Sequence, residues 1–170
     1  MKYYTFVAAF SAITLAMFSQ VWAGNTVACP DISEAKQISR CSAESDLKHM
    51  FKVGCGVERN PSAKNPDLCD SYAEFKRRKN TALWESSDGE FMGYVACEIP
   101  ATEIKGSKPI SVAVSQKNSL YKVSCNYQGG IKFTFRTPNV CRVPGVKSSN
   151  VVMRADCSSD TLACKAVCDQ

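Results

Sequence analysis

Ten cysteines constrain this chain more than any other feature: Cys29, Cys41, Cys55, Cys69, Cys97, Cys125, Cys141, Cys157, Cys164 and Cys168. An even number in an exported chain reads as a disulfide framework of up to five bridges. The first 23 residues point to export. MKYYTFVAAFSAITLAMFSQVWA sets Lys2 ahead of an apolar run from Phe6 to Phe18 and closes on Val21-Trp22-Ala23, the pattern of a secretory leader. That run is shorter than the roughly 20 apolar residues a spanning helix needs, and no later segment is long enough. The expectation is a secreted, extracellular chain that starts near Gly24, with 147 of the 170 residues left to make one domain.

Each bridge would add about 2–4 kcal/mol, mainly by restricting the unfolded chain. A chain of this size can build a usable core unaided, so such density suggests selection for survival among proteases and at harsh pH. The spacing argues against metal. Zinc sites want pairs such as C-x2-C, which are absent, and the single histidine, His49, cannot complete a Cys2His2 set. Cys164 and Cys168 stand i, i+4 on a predicted helix, and each is expected to bridge elsewhere in the fold.

Loss of the leader removes Lys2 and no acid, leaving 20 Lys and Arg against 16 Asp and Glu, a net charge of +4. The signs are mixed along the chain. Such a balance favours solubility and weak attraction to anionic surfaces, but it is not the basic stripe of a nucleic-acid binder.

Residues 30 to 80 read as helical. Pro30-Asp31 with Glu34 resembles a capped start, placing Ile32, Ala35 and Ile38 on one face. A second helix is predicted over Ala43–Val53, burying Leu47 with Met50 or Phe51. A third starts at Asn65-Pro66, with Asp67 and Asp70 near its positive end and Lys76-Arg77-Arg78-Lys79 at its negative end. Its inner stripe is Leu68, Cys69, Tyr72 and Phe75. From Thr81 the period changes to two. Strands are predicted at Ala82–Glu85, Phe91–Glu98, Ile110–Ser115, Leu120–Tyr127, Ile131–Arg136 and near Val151–Arg154, with turn chemistry at Ser86-Ser87-Asp88-Gly89 and Gln128-Gly129-Gly130. The tail from Ser159-Asp160 through Cys168 reads as one or two capped helical turns. Helices followed by strands indicate an α+β fold, with N-terminal helices packed on a C-terminal antiparallel sheet.

Lys76-Arg77-Arg78-Lys79 also contains dibasic pairs of the kind that kexin-type secretory proteases cleave. Equally, these cations can satisfy a helix C-terminus. Four cysteines precede the site and six follow it, so each half could close its own bridges. This suggests two subdomains, 24–80 and 81–170, meeting near Asn80.

Catalytic motifs are scarce. His49 lies in LKHMF on a predicted helix, and pairing it with a cysteine would break the even count. Neither G-x-S-x-G nor H-E-x-x-H occurs, and there is no phosphate-binding glycine loop. Asp88 and Glu90 share a turn, and Glu98 and Glu103 flank Pro100, but a glycosidase would also need a long aromatic cleft. A small ribonuclease would want Glu98, Arg136 and a histidine on one sheet, and His49 lies in the helical half. No cofactor is called for. Trp84, Tyr94, Tyr121 and Tyr127 lie on predicted strands and could form a sugar-stacking or protein-binding face, but Tyr121 and Tyr127 share parity with Val123 and Cys125 and are assigned to the core. Trp84, beside the ESSDGE turn with Asp88 and Glu90, is the expected contact residue. Asn60-Pro61-Ser62 has proline in the position that an N-glycosylation sequon excludes.

With leader, cysteines, the dibasic site and no catalytic set in view, the chain resembles the small cysteine-rich secreted effectors of plant-pathogenic fungi. Several of those families pair N-terminal helices with an antiparallel sheet. The resemblance implies a virulence role through binding of a host or extracellular protein: masking the pathogen, inhibiting a hydrolase, or disturbing immune perception. A carbohydrate ligand is a lesser alternative. Tyr121, Val123, Cys125 and Tyr127, followed by Cys141, are also similar to strands of small exported bacterial proteins such as periplasmic lysozyme inhibitors. The rival from a different class is a small secreted hydrolase or ribonuclease.

One pairing is expected from the strands themselves. A three-residue loop at Gln128-Gly129-Gly130 would set Cys125 opposite Phe133, among aromatic neighbours where a thiolate is disfavoured. Thr137-Pro138-Asn139 would then turn the chain back and allow a Cys125–Cys141 bridge.

Overall fold

The computed structural model describes residues 24–55, 66–146 and 152–169. The leader, the Asn65 cap and Asn60-Pro61-Ser62 lie outside those residues. In chain order the elements are strands β1 (Asn25–Ala28) and β2 (Lys36–Gln37), helices α1 (Glu44–Cys55) and α2 (Tyr72–Lys79), and strands β3 (Thr81–Glu85) and β4 (Met92–Ala96). A short helix α3 (Ala101–Gly106) precedes β5 (Pro109–Lys117), β6 (Leu120–Tyr127), β7 (Lys132–Thr137), β8 (Cys141–Arg142), β9 (Val152–Asp156) and β10 (Lys165–Cys168). The fold is α+β with antiparallel pairing throughout: one sheet of order β2-β3-β4-β7-β6-β5-β9 and a smaller one of order β1-β10-β8.

Alternation decides which side of the large sheet is buried. Ala82, Trp84, Val95, Phe133, Val123, Cys125, Val112 and Val114 share one face and belong to a single core, which also takes in Ile32, Ile104 and Ala166. Cys125 stands opposite Phe133, and the Tyr127 amide donates to the Ile131 carbonyl at 2.8 Å, closing the expected hairpin. Gly129 and Gly130, with φ of 71° and 76°, make that turn possible because side chains rarely adopt such angles. Between β4 and β7 the approach is closest at Gly93, where a Cβ would lie 2.1 Å from the Lys132 carbonyl oxygen.

All ten cysteines are paired: Cys29–Cys125, Cys41–Cys97, Cys55–Cys69, Cys141–Cys168 and Cys157–Cys164. The expected Cys125–Cys141 bridge is absent. Cys141 instead stands opposite Cys168 where β8 meets β10, while Cys125 reaches Cys29 just after β1. The reason is a partner strand that alternation alone did not disclose. Thr137-Pro138-Asn139 leads the chain onto the small sheet rather than back over its own hairpin. The halves do not close their own bridges either, since Cys29–Cys125 and Cys41–Cys97 both cross Asn80 and β1 pairs with β10.

Two expected helices are not helical. In residues 30–35 the Asp31 carboxylate accepts from the Ser33 amide, and Ala35 closes a turn onto Ile32, with Ile32 and Ala35 fully buried. The Cys29 bridge at one end and the Lys36–Glu85 pairing at the other pin this short segment. In the tail only Thr161–Ala163 turns, capped by Asp160 accepting from the Leu162 amide; the rest is β10. The third predicted helix is split into a single turn at Pro66–Cys69 and α2, which Ser71 caps by accepting from the Glu74 amide. Buried Leu47 and Phe75, with the Phe51 ring 5.4 Å from Phe75 and 5.5 Å from Tyr72, join α1 to α2, whereas Met50 is exposed.

Candidate functional site

The residues singled out in the sequence scatter across this fold. His49 is exposed on α1. Met92 stands opposite Thr134, so Ala96, which ends β4 just before the turn that carries Glu98, lies roughly 20 Å from Arg136 along the strands, on the opposite side of that pair. A ribonuclease-like Glu, Arg and His set is therefore not brought together. Asp88 is engaged in its own turn: its carboxylate accepts from the Ser86 hydroxyl and the Glu90 amide, and these bonds hold its pKa below the usual range. The other carboxylates with resolved shifts, Asp31, Glu44, Glu74 and Asp156, are also lowered, each chiefly by a hydrogen bond to the charged form. General acid chemistry needs the opposite shift.

Lys76, Arg77, Arg78 and Lys79 close α2. Lys76 pairs with Glu44 on α1 at 2.6 Å, while Arg77 and Arg78 both pair with Glu74. Three of the four cations are thus committed within or between helices.

Trp84, expected as a contact residue, is only 5% exposed. It shares the inward face of β3 with Ala82, so parity overrides the polar turn beside it. Asp88 and Glu90 are exposed. Tyr127 is buried and its hydroxyl donates to the Pro30 carbonyl at 2.7 Å; Tyr121 is half-buried against the core. Of the four strand aromatics, Tyr94 is the one that faces solvent. It alternates with buried Val95 and points out of the large sheet, 72% exposed.

The outer face of that sheet carries two hollows among the described residues. Register places Leu83 beside Tyr94, Met92 beside Thr134, Lys132 beside Asn126, Ser124 beside Thr134, and Lys122 beside Arg136. A groove of about 520 Å³ lies here, with Leu83, Met92 and Tyr94 as its apolar lining and Lys132, Thr134 and Arg136 as its polar one. Arg136 also borders a second hollow of about 350 Å³ toward Lys117, Leu120 and Lys122. Among the described residues, Lys122, Lys132 and Arg136 enter no ion pair. Among the described residues no group of side chains has the makings of a metal site, and no helix is long and apolar enough to cross a membrane.

No protein-family model, curated protein or solved structure matches the chain.

Proposed function

We propose that the protein is a secreted, non-enzymatic binding protein of the effector type, acting on a host or extracellular macromolecule through a rigid surface. The observation that carries this reading is the open outer face of β4 and β7 in the large sheet, with Tyr94 projecting from an interior strand beside exposed Met92, Lys132 and Arg136. A large exposed aromatic among cations on a stapled sheet is suited to contact rather than to chemistry. Five disulfides and no free cysteine among the described residues fit a chain that folds in an oxidising compartment, and export through the leader at residues 1–23 supplies that route. In this reading the helical layer rests against the sheet and leaves the outer face free. Masking, inhibition of a hydrolase and interference with immune perception are the forms such binding would take.

Incubating the purified protein with RNA, chitin and peptidoglycan tests this directly. The expected result is no turnover, together with selective retention of an extracellular component on immobilised protein. Robust turnover that disappears on substituting Glu98 or Arg136 would replace binding with catalysis.

A further inference from the structure

On the outer face, six cations (Lys36, Lys117, Lys122, Lys132, Arg136 and Arg154) share the surface with two carboxylates, Glu85 and Asp156. The excess is concentrated on β6 and β7. Lys122 stands directly opposite Arg136, a like-charge cross-strand pair that enters no ion pair among the described residues. Such a pair weakens the sheet. The buried face holds the fold together, so the repulsion on the outer face has no structural return and calls for an anion from outside.

The shape narrows the choice of anion. Thr134, Ser124 and Ala113 form a row of small side chains across β7, β6 and β5. Lys132 and Asn126 rise on one side of the row, and Arg136 and Lys122 on the other. The trough therefore crosses the strands for about 10 Å, and Lys132 and Arg136 stand about 13 Å apart along β7. Met92 continues the row onto β4, and Tyr94, two residues on, stands on the Lys132 side and lines the groove with it, offering a flat ring there. Beside the trough the buried Ser111 hydroxyl accepts from Asn126 at 3.0 Å and from Arg154 at 3.1 Å, which fixes the half-buried Asn126 amide and the exposed Arg154 in place.

From this geometry we infer that the outer face of the large sheet binds a linear uronic-acid polysaccharide. Carboxylates spaced along the polymer meet the two cationic rims, sugar hydroxyls meet the half-buried Thr134 and Asn126, and one sugar ring stacks on Tyr94. An extended acidic peptide would add to a sheet edge rather than lie across the strands of its face. A single-stranded nucleic acid wants successive aromatic platforms, and Tyr94 is the lone aromatic on this face among the described residues. The inference rests on the binding reading above and names the chemistry of the partner.

Calorimetric titration of the disulfide-intact protein with polygalacturonate oligomers provides the test. Their methyl-esterified counterparts serve as the neutral control, with poly-glutamate and single-stranded RNA as competing anions. Saturable binding is expected to weaken about tenfold between about 50 mM and 300 mM salt, as screening grows. The double variant Lys132→Ala/Arg136→Ala should lose at least about tenfold in affinity, and Tyr94→Ala several-fold with the salt dependence retained. All three side chains are exposed, and an unchanged circular dichroism spectrum verifies the fold. Absent binding, equal binding of the esterified polymer, undiminished binding by the double variant, or tighter binding of poly-glutamate or RNA overturns the inference. Retention of a different extracellular component would then leave the broader binding reading standing, whereas turnover of the polymer would sink both.

Discussion

The Tyr127 hydroxyl donates to the Pro30 carbonyl at 2.7 Å, joining groups 97 residues apart. Two positions earlier on the same face of β6, Cys125 is bridged to Cys29, so adjacent residues of the N-terminal segment are fastened to adjacent inward positions. Burial pushes the Tyr127 phenol well above its ordinary pKa and keeps it a donor. Tyr127→Phe removes the donor from the half-buried Pro30 carbonyl and is expected to cost about 1 kcal/mol. Denaturant unfolding should show a lower midpoint at unchanged slope. An unaltered midpoint would mean that the disulfide alone fixes this contact.

Gly93 has no room for a side chain, because its Cβ would sit 2.1 Å from backbone oxygen that cannot swing away. Gly93→Ala should therefore push β4 off β7 and cost about 2 kcal/mol or more. Amide exchange should quicken around Met92 and Thr134, the pair that defines the β4–β7 register. Protection equal to the parent's would show that the two strands separate at no cost.

The dibasic run is held in the last turn of α2, and two disulfides cross it. Proteases bind extended chain, so a kexin-type enzyme should leave the folded protein intact and cut it after reduction and unfolding. Any molecule nicked there should migrate as one species without reductant and as two with it. Two species without reductant would place every bridge on one side of the cut.

Asp88 gives a pH dependence whose sign follows from its partners. Its folded pKa is depressed by the Ser86 hydroxyl and the Glu90 amide. The resulting stabilisation is present above the ordinary carboxylate pKa of about 3.9 and is lost as pH falls through the lower folded value. Thermal midpoints should stay level from neutral pH to about 5 and then fall, with Asp88→Asn showing a shallower acid limb. Parallel acid limbs for the two proteins would show that the turn does not depend on the charge.

Where one face is buried and the other wet, the sequence carried the structure. Ala82–Glu85, Leu120–Tyr127 and the Gln128-Gly129-Gly130 hairpin were legible because alternation and turn chemistry are local. Residues 30–35 and β10 were not. Their conformation is imposed by partners far along the chain: Cys125 and Glu85 for the first, β1 and β8 for the second. Alanines and cysteines at i, i+4 suggest a helix, yet Ala166 and Cys168 bury equally well from a strand. The surface followed the same division. Trp84 was drawn outward by its neighbours in sequence although its parity with Ala82 turns it inward. The Lys122–Arg136 pair became visible only once register set the strands side by side.

Everything proposed for the outer face depends on the two halves forming one body. Non-reducing peptide mapping by mass spectrometry after digestion at a pH that prevents exchange tests this most directly. The account predicts one linked species containing Cys29 with Cys125 and another containing Cys41 with Cys97. A map joining Cys125 to Cys141, with every bridge confined to its own side of Asn80, would contradict it.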